Sequence, residues 1–384
     1  MKDEEIQIAT ERATRARSEF RYDPIADRWA IVAEGRADRP SNASNANDAS
    51  EHDPECPFCP GAERRTTATV AIATLKRGAS TTTDSPDDFE ILEAANAPNS
   101  ALERPWRVRV VANKYPAFTI ADSDAIDFSA LDLPAAEDCA LSRAAPAVGR
   151  HEVIVDSARH LRGWREASDL EVALTFRVFR ARLRALRATN RFGCGFVFKN
   201  VGANAGASQT HSHCQLTALV AVPPEIRAET RRLARIQSAR PNFWDEFVAA
   251  EQRSRAIYAS ERFLVHAPFA SRFPMQVEIL PRFDRDFEDY DDATVDELAA
   301  LARRVVLAQT RAYCATRRDE RAQLDYNVLM RPSIWRAEEP TFARPRWVFL
   351  PSLVKKAGFE LGCALDINPV APERAASTLR DFWT

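Results

Sequence analysis

The residues with the clearest chemical potential lie in one short run, residues 206–215 (GASQTHSHCQ). Within it His211, His213 and Gln215 occupy alternate positions, and a turn rich in Gly, Ala and Ser precedes them. Successive side chains of an extended segment point to opposite faces, so these three side chains are predicted to share one face. The small residues before them let an anionic group approach the backbone closely. This pattern indicates a histidine nucleophile that attacks a phosphorus atom.

A Cys-x-x-Cys pair, Cys56 and Cys59, is the second motif with chemical potential. Such a pair gives two thiolates to one metal, and tetrahedral zinc needs two further ligands. The chain has seven cysteines but no second Cys-x-x-Cys pair, so the other ligands must come from elsewhere, and there are only six histidines. The prolines and glycine around the pair favour a loop over the strand–motif–helix context of a redox pair. The sequence therefore predicts zinc, with a redox or purely structural thiol pair as the alternative.

We assign the third and fourth zinc ligands to His160 and His211. His160 follows a predicted strand and precedes a predicted helix, and a surface-loop histidine is the alternative interpretation. Four protein ligands leave no open position for water, so the zinc would be structural and would clamp the His-x-His segment to the N-terminal loop. His213 then remains as the nucleophile. His151 lies in a predicted strand and could equally be a core residue, so it is left out of the site.

Composition limits the class of protein. The chain has 384 residues, long enough for two domains or one large duplicated domain, and its 45% hydrophobic and 28% charged content is typical of soluble globular proteins. The formal net charge of −2 argues against a nucleic-acid partner. No apolar run reaches the roughly 18 residues that span a bilayer, and the charged N-terminus lacks the apolar core of a signal peptide. The number of cysteines is odd and their spacing is not that of a disulfide scaffold, which favours a reducing compartment. We therefore expect a cytoplasmic protein without a membrane partner.

Two predicted helices with similar surroundings indicate a duplicated unit. Residues 168–171 (SDLE) have the pattern of a capping box that begins a helix ending near residue 188. Residues 294–297 (TVDE) have the same pattern, at the start of a helix ending near residue 315. A predicted strand follows each helix, at residues 195–200 and 326–330. The sequence therefore predicts an α+β fold in which one strand–helix–strand module is used twice, although chance similarity of two amphipathic helices is the alternative.

The two predicted copies, residues 19–222 and 223–384, differ in their chemistry. At the positions that correspond to His160, His211 and His213, the second copy carries Asp286, Arg344 and Arg346. We therefore expect the first copy to be catalytic and the second to be a degenerate copy that contributes to the same site.

Five groups of motifs run along most of the chain. In chain order they are residues 21–24 (RYDP) with 36–40 (RADRP), 56–61 (CPFCPG), 113–118 (NKYPAF), 198–202 (FKNVG) with 205–215, and 357–360 (AGFE). Together they make the chain resemble the galactose-1-phosphate uridylyltransferase family of the histidine-triad superfamily, including its nucleotide-sugar phosphorylase branch, from about residue 20 to 380. This resemblance implies histidine-triad-like modules with antiparallel sheets and flanking helices, and it suggests a homodimer.

The resemblance also implies a transfer in two steps. His213 would attack the α-phosphorus of a UDP-sugar, release hexose 1-phosphate and carry a uridylyl group that a second sugar phosphate then accepts, with ping-pong kinetics. Gln215 would donate hydrogen bonds to the phosphoryl oxygens, and Ser208 would bind the phosphate. Hydrolytic relatives carry a histidine where this chain has Gln215. Because glutamine cannot act as a general acid–base, its presence favours transfer over hydrolysis.

Further residues are assigned to substrate binding by the resemblance alone. They are predicted to bind the phosphates, the nucleotide and the hexose hydroxyl groups, the last of these from the second copy or across a dimer. In chain order these residues are Arg36, Arg39, Asn113, Phe198, Asn200, Gly202 and Glu360.

The chain departs from the family at several positions. Ser212 stands where the enzymes best matched to galactose usually have proline, and Asp366 stands where they commonly have glutamine. Some members bind a second metal, but Arg344 and Arg346 replace the histidines that would join Glu229, so we predict no second metal.

Three functions remain open at this point. The first is transfer of a UMP group between hexose 1-phosphates, and the second is an ADP-sugar phosphorylase with inorganic phosphate as acceptor. Both use a nucleotide sugar and every catalytic residue named above. The third is a zinc-stabilised nucleotide-binding module without turnover, which predicts damage at His213, Gln215 or Ser208, and the sequence shows none.

Overall fold

The computed structural model of the chain describes residues 19–23, 28–32, 55–118, 144–332, 334–336 and 344–384. Within them the β-strands are β1 (Glu19–Asp23), β2 (Arg28–Val32), β3 (Thr69–Leu75), β4 (Phe89–Glu93), β5 (Val108–Ala112), β6 (Ala144–Pro146), β7 (Gly149–Val155), β8 (Cys194–Val201), β9 (His213–Leu219), β10 (Ala256–Ala259), β11 (Phe263–His266), β12 (Val277–Pro281), β13 (Tyr326–Arg331) and β14 (Arg346–Pro351). The α-helices are α1 (Asn99–Leu102), α2 (Asp169–Ala188), α3 (Pro224–Ala239), α4 (Phe243–Arg255), α5 (Asp292–Arg317), α6 (Gly358–Cys363) and α7 (Pro372–Asp381). The two longest helices, α2 and α5, each lie between two sheet strands in the chain.

Eleven strands form one continuous antiparallel sheet in the order β10-β11-β12-β14-β13-β8-β9-β7-β5-β3-β4. β1, β2 and β6 form a separate three-stranded sheet. The large sheet is symmetrical in its order about the β8–β13 pair, because β8, β9, β7, β5 and β3 on one side correspond to β13, β14, β12, β11 and β10 on the other. The predicted α+β fold with antiparallel strands and flanking helices is confirmed. The division at residues 222 and 223 stays a prediction.

The main core lies between the large sheet and helices α2 and α5. Phe176 and Phe179 of α2 face Trp347 of β14, with ring centroids 4.6 and 5.9 Å apart. An ion pair of 2.6 Å between Arg177 of α2 and Asp296 of α5 joins the two helices. Among the described residues, no helix has both the length and the apolar composition needed to cross a membrane.

The start of α2 follows the prediction, whereas the start of α5 does not. The Ser168 hydroxyl accepts a hydrogen bond from the backbone of Glu171, and the Glu171 carboxylate accepts one from the backbone of Ser168. The second predicted capping box, at residues 294–297, is wrong. Helix α5 begins earlier because the Asp291 carboxylate caps it, accepting from the Thr294 backbone at 2.7 Å. A carboxylate at this position is also favoured by the helix dipole.

Strand β9 divides the core from the face that carries the predicted chemistry. Cys214, Leu216 and Ala218 belong to the core cluster that includes α2. The alternate residues His213 and Gln215 therefore lie on the opposite face of the sheet, because side chains of a strand alternate. Helix α2 therefore packs on the face of the sheet opposite to the one that carries His213 and Gln215.

Candidate functional site

A cleft of about 270 Å³ lies beside the start of β9. Of the predicted catalytic and binding residues, His213, Gln215, Ser208 and Asn113 line it together. Strand pairing brings them to one place, because β9 lies next to β7 and β7 lies next to β5, whose end leads to Asn113. The sequence prediction that these residues form one site therefore agrees with their placement, and their roles stay predictions.

The nucleophile candidate His213 is the first residue of β9. Its Nδ1 lies 2.9 Å from the backbone oxygen of His211. A carbonyl oxygen can only accept, so Nδ1 carries the proton and Nε2 of the neutral ring carries the lone pair. The side chain is 5% exposed yet lines the cleft. This tautomer is the one that a nucleophilic Nε2 requires.

The sequence pattern predicted that His211 and His213 lie on the same strand, but His211 lies outside it. The backbone bends at residues 210 and 211, so the strand begins two residues later than expected. His213 and Gln215 line the cleft, while His211 belongs to a separate buried cluster. The alternation rule therefore holds only from His213 onward, because only there is the chain extended.

Cys56, Cys59, His160 and His211 form this buried cluster. Their ligand atoms all lie within 4.8 Å of one another. Cys56 Sγ lies 3.5 Å from His211 Nδ1, and Cys59 Sγ lies 3.3 Å from His160 Nδ1. Two sulfur and two nitrogen donors at this separation are the donor set of a closed tetrahedral zinc site. The four predicted ligands are thus placed where they can hold a metal ion.

The protonation of this cluster suits a cation. The Nε2 of His211 lies 2.9 Å from the carbonyl oxygen of Ser157, so Nε2 donates and the Nδ1 lone pair faces the thiols. Burial lowers the pKa of His211 to about 4, which keeps the ring neutral at pH 7. Burial raises the pKa of the Cys56 thiol to about 12. A bound cation would reverse this effect, because a coordinating thiol is deprotonated.

The Cys/His cluster is linked to His213 through Phe58. This residue lies between the two cysteines in sequence. Its ring centroid is 6.1 Å from that of His211 and 5.4 Å from that of His213. The Cys-x-x-Cys loop therefore forms part of the cleft wall, so a metal ion bound by the cluster would stiffen the wall beside His213.

Ser212, at the position where the enzymes best matched to galactose are expected to have proline, holds the loop through buried hydrogen bonds. Its hydroxyl lies 2.8 Å from Lys199 Nζ and 2.7 Å from the Asp156 carboxylate. Lys199 and Asp156 form an ion pair, each 1% exposed, and Lys199 also donates to the backbone oxygen of His213 at 3.2 Å. Hydrogen bonds to this buried ion pair hold the loop in place, whereas a proline would restrict the backbone of the loop through its ring.

Two residues that the sequence analysis did not assign contribute positive charge to the cleft, namely Arg65 and Lys114. Arg65 pairs with Glu55 at 3.5 Å, and both side chains are largely exposed. Lys114 lies within the motif of residues 113–118, so the sequence held a signal for it. Arg65 follows the Cys-x-x-Cys loop without any motif of its own. Their charges suit a ligand that carries phosphate groups.

His151, which the sequence did not assign to the site, does not line the cleft but contacts two residues that do. His151 is on β7 and 4% exposed, and its Nε2 lies 2.9 Å from Gln215 Oε1 and 3.1 Å from Asn113 Nδ2. The local sequence around His151 does not predict its contact with Gln215, because the two residues are 64 positions apart and meet only through strand pairing.

Phe198, Asn200 and Gly202 are predicted binding residues that do not line the cleft. Phe198 stacks on Phe196 with ring centroids 5.5 Å apart, and Asn200 accepts a hydrogen bond from Asn327 at 2.8 Å. Both side chains therefore have structural partners in β8 and β13.

Gly202 has a structural role that the sequence did not reveal. Its φ is +84°, a conformation that favours glycine. A Cβ at this position would lie 1.8 Å from the Asp325 carboxylate. That carboxylate accepts from the backbone and side chain of Asn204, and so fixes the turn that precedes Ser208.

Glu360 lies on α6, and its carboxylate accepts a hydrogen bond from the Ala357 backbone at 2.9 Å. It does not line the cleft. Arg36 and Arg39, the predicted phosphate ligands, lie outside the described residues.

Glu229, Arg344 and Arg346, where some family members would bind a second metal, take part in ion pairs. The Glu229 carboxylate of α3 pairs with Arg346 of β14 at 2.6 Å and with Arg331 of β13. Arg344 pairs with Asp284 at 2.7 Å. Two guanidinium groups thus compensate the charge of Glu229. The absence of a second metal stays a prediction.

Comparison with known sequences finds related enzymes. Residues 80–223 match the model of the galactose-1-phosphate uridyl transferase N-terminal domain. The chain is 25% identical over 376 residues to an ADP-glucose phosphorylase of Arabidopsis thaliana, covering 94% of this chain and 92% of that protein. It is 27% identical over 195 residues to a galactose-1-phosphate uridylyltransferase of Thermotoga maritima, covering 48% of this chain and 59% of that protein.

Solved structures show the same fold. A crystal structure of an ADP-glucose phosphorylase from Arabidopsis thaliana with bound ADP-glucose superimposes with a TM-score of 0.63 at 23% identity, covering 95% of this chain and 99% of that chain. A uridylyltransferase structure gives a TM-score of 0.67 at 19% identity, covering 95% and 98% of the two chains. The resemblance of this chain to the galactose-1-phosphate uridylyltransferase family, ADP-glucose phosphorylase included, is therefore confirmed.

Proposed function

We propose that the chain is a nucleotidyltransferase that forms a covalent nucleotidyl-histidine on His213 and passes the nucleotidyl group to a phosphate acceptor. The observation that carries the proposal is the tautomer of His213, whose Nδ1 donates to the His211 carbonyl, so that the lone pair of the neutral ring is on Nε2. Ser208 and Gln215 line the same cleft. The relatives with assigned reactions are enzymes, which favours catalysis over a zinc-stabilised binding module.

The proposed first step begins with attack of His213 Nε2 on the α-phosphorus of a nucleotide sugar. The new N–P bond replaces the bond from the α-phosphorus to the bridging oxygen, and sugar 1-phosphate leaves with that electron pair. The ring becomes positively charged, and the hydrogen bond from Nδ1 to the His211 carbonyl stabilises this charge. Gln215 and Ser208 donate to the phosphoryl oxygens, where negative charge develops.

In the second step an oxygen of the acceptor phosphate attacks the phosphorus and breaks the N–P bond. The electron pair returns to Nε2, so the neutral ring is regenerated without a proton donor. Gln215 stands beside His213 in place of a group that could activate water, which supports transfer rather than hydrolysis.

Two substrate pairs fit this mechanism. The sequence motifs led first to UMP transfer between hexose 1-phosphates, as in UDP-glucose with galactose 1-phosphate. The ADP-glucose phosphorylase relative covers 94% of this chain, whereas the uridylyltransferase relative covers 48%. We therefore favour an ADP-sugar as donor and inorganic phosphate as acceptor, and keep uridylyl transfer as the second candidate.

Intact-protein mass spectrometry tests this choice. The purified protein is incubated with ADP-glucose or UDP-glucose, quenched and weighed. We expect a mass gain of one adenylyl group with ADP-glucose, because adenylyl transfer is the favoured reaction. Inorganic phosphate should then remove the adduct faster than galactose 1-phosphate does. A uridylyl adduct discharged by galactose 1-phosphate would establish the second candidate, and no adduct from a metal-loaded protein would contradict both.

The metal in the Cys/His cluster is proposed to be zinc, since two thiolates and two imidazoles are its usual structural ligands. All four positions are protein side chains, so this zinc would supply rigidity to the cleft wall and no open coordination site. The chemistry is assigned to His213, Gln215 and Ser208 alone.

We further propose a homodimer formed through the segment that carries Glu360. Six of the eight large apolar side chains that are exposed in the described residues lie between positions 353 and 367. They are Leu353, Val354, Phe359, Leu361, Leu365 and Ile367. Exposed apolar patches of this kind mark interaction sites. In such a dimer, Glu360 of one chain would lie near the sugar bound in the cleft of the other chain.

Light scattering should report a dimer that Leu361→Glu weakens, and a monomeric wild type would contradict the proposal.

A further inference from the structure

His151 of β7 lies on the same face of the sheet as Gln215 of the neighbouring strand β9. In the antiparallel β7–β9 pair, Val153 is opposite Gln215 and His151 is opposite Thr217. His151 and Gln215 are therefore diagonal neighbours across the two strands, a distance that long side chains bridge. The contact between His151 Nε2 and Gln215 Oε1 measures 2.9 Å, and both residues are buried.

The backbone around His151 decides which ring nitrogen carries the proton. The backbone N–H of Ala117 points at His151 Nδ1, with the two nitrogens 3.2 Å apart. A backbone N–H can only donate, so Nδ1 must accept. A neutral imidazole has one ring proton, which is therefore on Nε2. The bond to Gln215 then runs from His151 Nε2–H to the amide oxygen.

The contact between His151 Nε2 and Asn113 Nδ2, at 3.1 Å, is not a hydrogen bond in this tautomer, because both nitrogens carry hydrogen. The Asn113 amide is held in its orientation by Tyr115, whose backbone donates to Asn113 Oδ1 at 2.8 Å. The opposite tautomer would let Nε2 accept from Asn113. It would also set Nδ1–H against the Ala117 N–H and remove the donor to Gln215.

The orientation of the Gln215 amide follows from this bond. With its oxygen held by His151, the amide nitrogen is the group left for the cleft, which Gln215 lines beside His213. An amide nitrogen donates to phosphoryl oxygens, whereas an amide oxygen in its place would repel them. A donor that is fixed before the reaction is worth more than one that must reorient.

We propose that His151 is a positioning residue, which holds the Gln215 amide with its donor toward the transferred phosphoryl group. The proposal rests on the proposed nucleotidyl transfer by His213. His151 acts through Gln215, so its effect on the rate should depend on the presence of the Gln215 amide.

A double-mutant cycle on adduct formation tests this dependence. His151→Phe removes the donor, and we expect the single-turnover rate of adduct formation to fall by about 10- to 100-fold, somewhat less than the loss of a whole oxyanion donor. In a Gln215→Met background the same substitution should change the rate by less than about threefold, because the two groups act as one unit. An equal loss in both backgrounds would show a merely structural role and overturn the proposal.

Two further variants guard against a folding defect. His151→Gln places an amide donor near the position of Nε2 and should recover a substantial part of the rate that His151→Phe loses. His266→Phe replaces another buried histidine, on β11 and outside the cleft, and should leave the rate of adduct formation unchanged. Failure of His151→Gln to exceed His151→Phe would count against a donor role.

The ring tautomer gives a readout that needs no turnover. In protein labelled with ¹⁵N-histidine, the His151 signals, identified by their loss in His151→Gln, should show a protonated Nε2 and an unprotonated Nδ1. The opposite tautomer would overturn the proposal even if the enzyme is active. If wild type forms no adduct with either nucleotide sugar, the proposed function fails, while this spectrum still decides how Gln215 is held.

Discussion

The His213→Ala variant is expected to form no nucleotidyl adduct and to lose at least about 10⁴-fold in transfer rate, as other enzymes do without their nucleophile. The alanine has no Nε2 lone pair, and the Nδ1 bond to the His211 carbonyl disappears with the ring. Arg65 and Lys114 still line the cleft in the variant, so nucleotide binding should persist. Intact-mass measurement reports the adduct, and calorimetry with ADP or UDP reports binding.

His266→Ala is the matched control for this experiment. His266 is also a buried histidine on a strand of the large sheet, but its partner is Glu251, 2.9 Å away, and it does not line the cleft. We expect this variant to form the adduct at the wild-type rate. An adduct on His213→Ala would show that another group is the nucleophile, and peptide mapping of that adduct would locate it.

The second large effect is expected from Cys59→Ala, which removes one ligand of the Cys/His cluster. Cys59 is 1% exposed, and its Sγ lies within 3.6 Å of His211 Nδ1. Bound metal should fall from one per chain to a small fraction, and the free energy of unfolding should drop by more than about 4 kcal/mol, because structural metal binding is coupled to folding. Elemental analysis gives the metal and its identity, and urea denaturation gives the stability.

Cys314→Ala provides the control for loss of a thiol. Cys314 is half-buried, on α5, and makes only weak contacts with the carbonyl oxygens of Glu320 and Ala322. It should retain full metal content and lose little stability. If Cys59→Ala also kept one metal per chain, the metal would have to lie elsewhere. Because Phe58 links the cluster to His213, we expect Cys59→Ala to slow adduct formation as well.

The hydrogen bonds of Ser212 can hold the loop before His213 without a proline. The buried Lys199–Asp156 pair binds the Ser212 hydroxyl and the His213 backbone oxygen, so the loop is held by charge-assisted hydrogen bonds. Removing one member of this buried ion pair would leave the other charge unpaired and destabilise the protein, so the position of His213 is coupled to the stability of the sheet.

Local sequence rules were sufficient where the competing interactions are also local. The capping box of Ser168 and Glu171 needs only residues three apart, and α2 begins where it predicts. The similar pattern at residues 294–297 failed because Asp291, just outside it, is a stronger cap. Glu297, the last residue of that pattern, instead pairs with Arg262 at 2.8 Å. The first residue of a helix is therefore set by the side chain that accepts best from its free backbone N–H groups, here the Asp291 carboxylate.

The sequence by itself determined the residue types of the site, since two thiols and alternate histidines have few other uses at this spacing. It named Cys56, Cys59, His160 and His211 as one cluster, and the fold brings them together. The tertiary structure alone decided which ring nitrogen of His211 and of His151 is protonated and brought His151 into contact with Gln215. The physical reason is that a tautomer is set by the partner of the other ring nitrogen. For His211 and His151 that partner is a backbone group distant in sequence, which only the pairing and packing of strands can place.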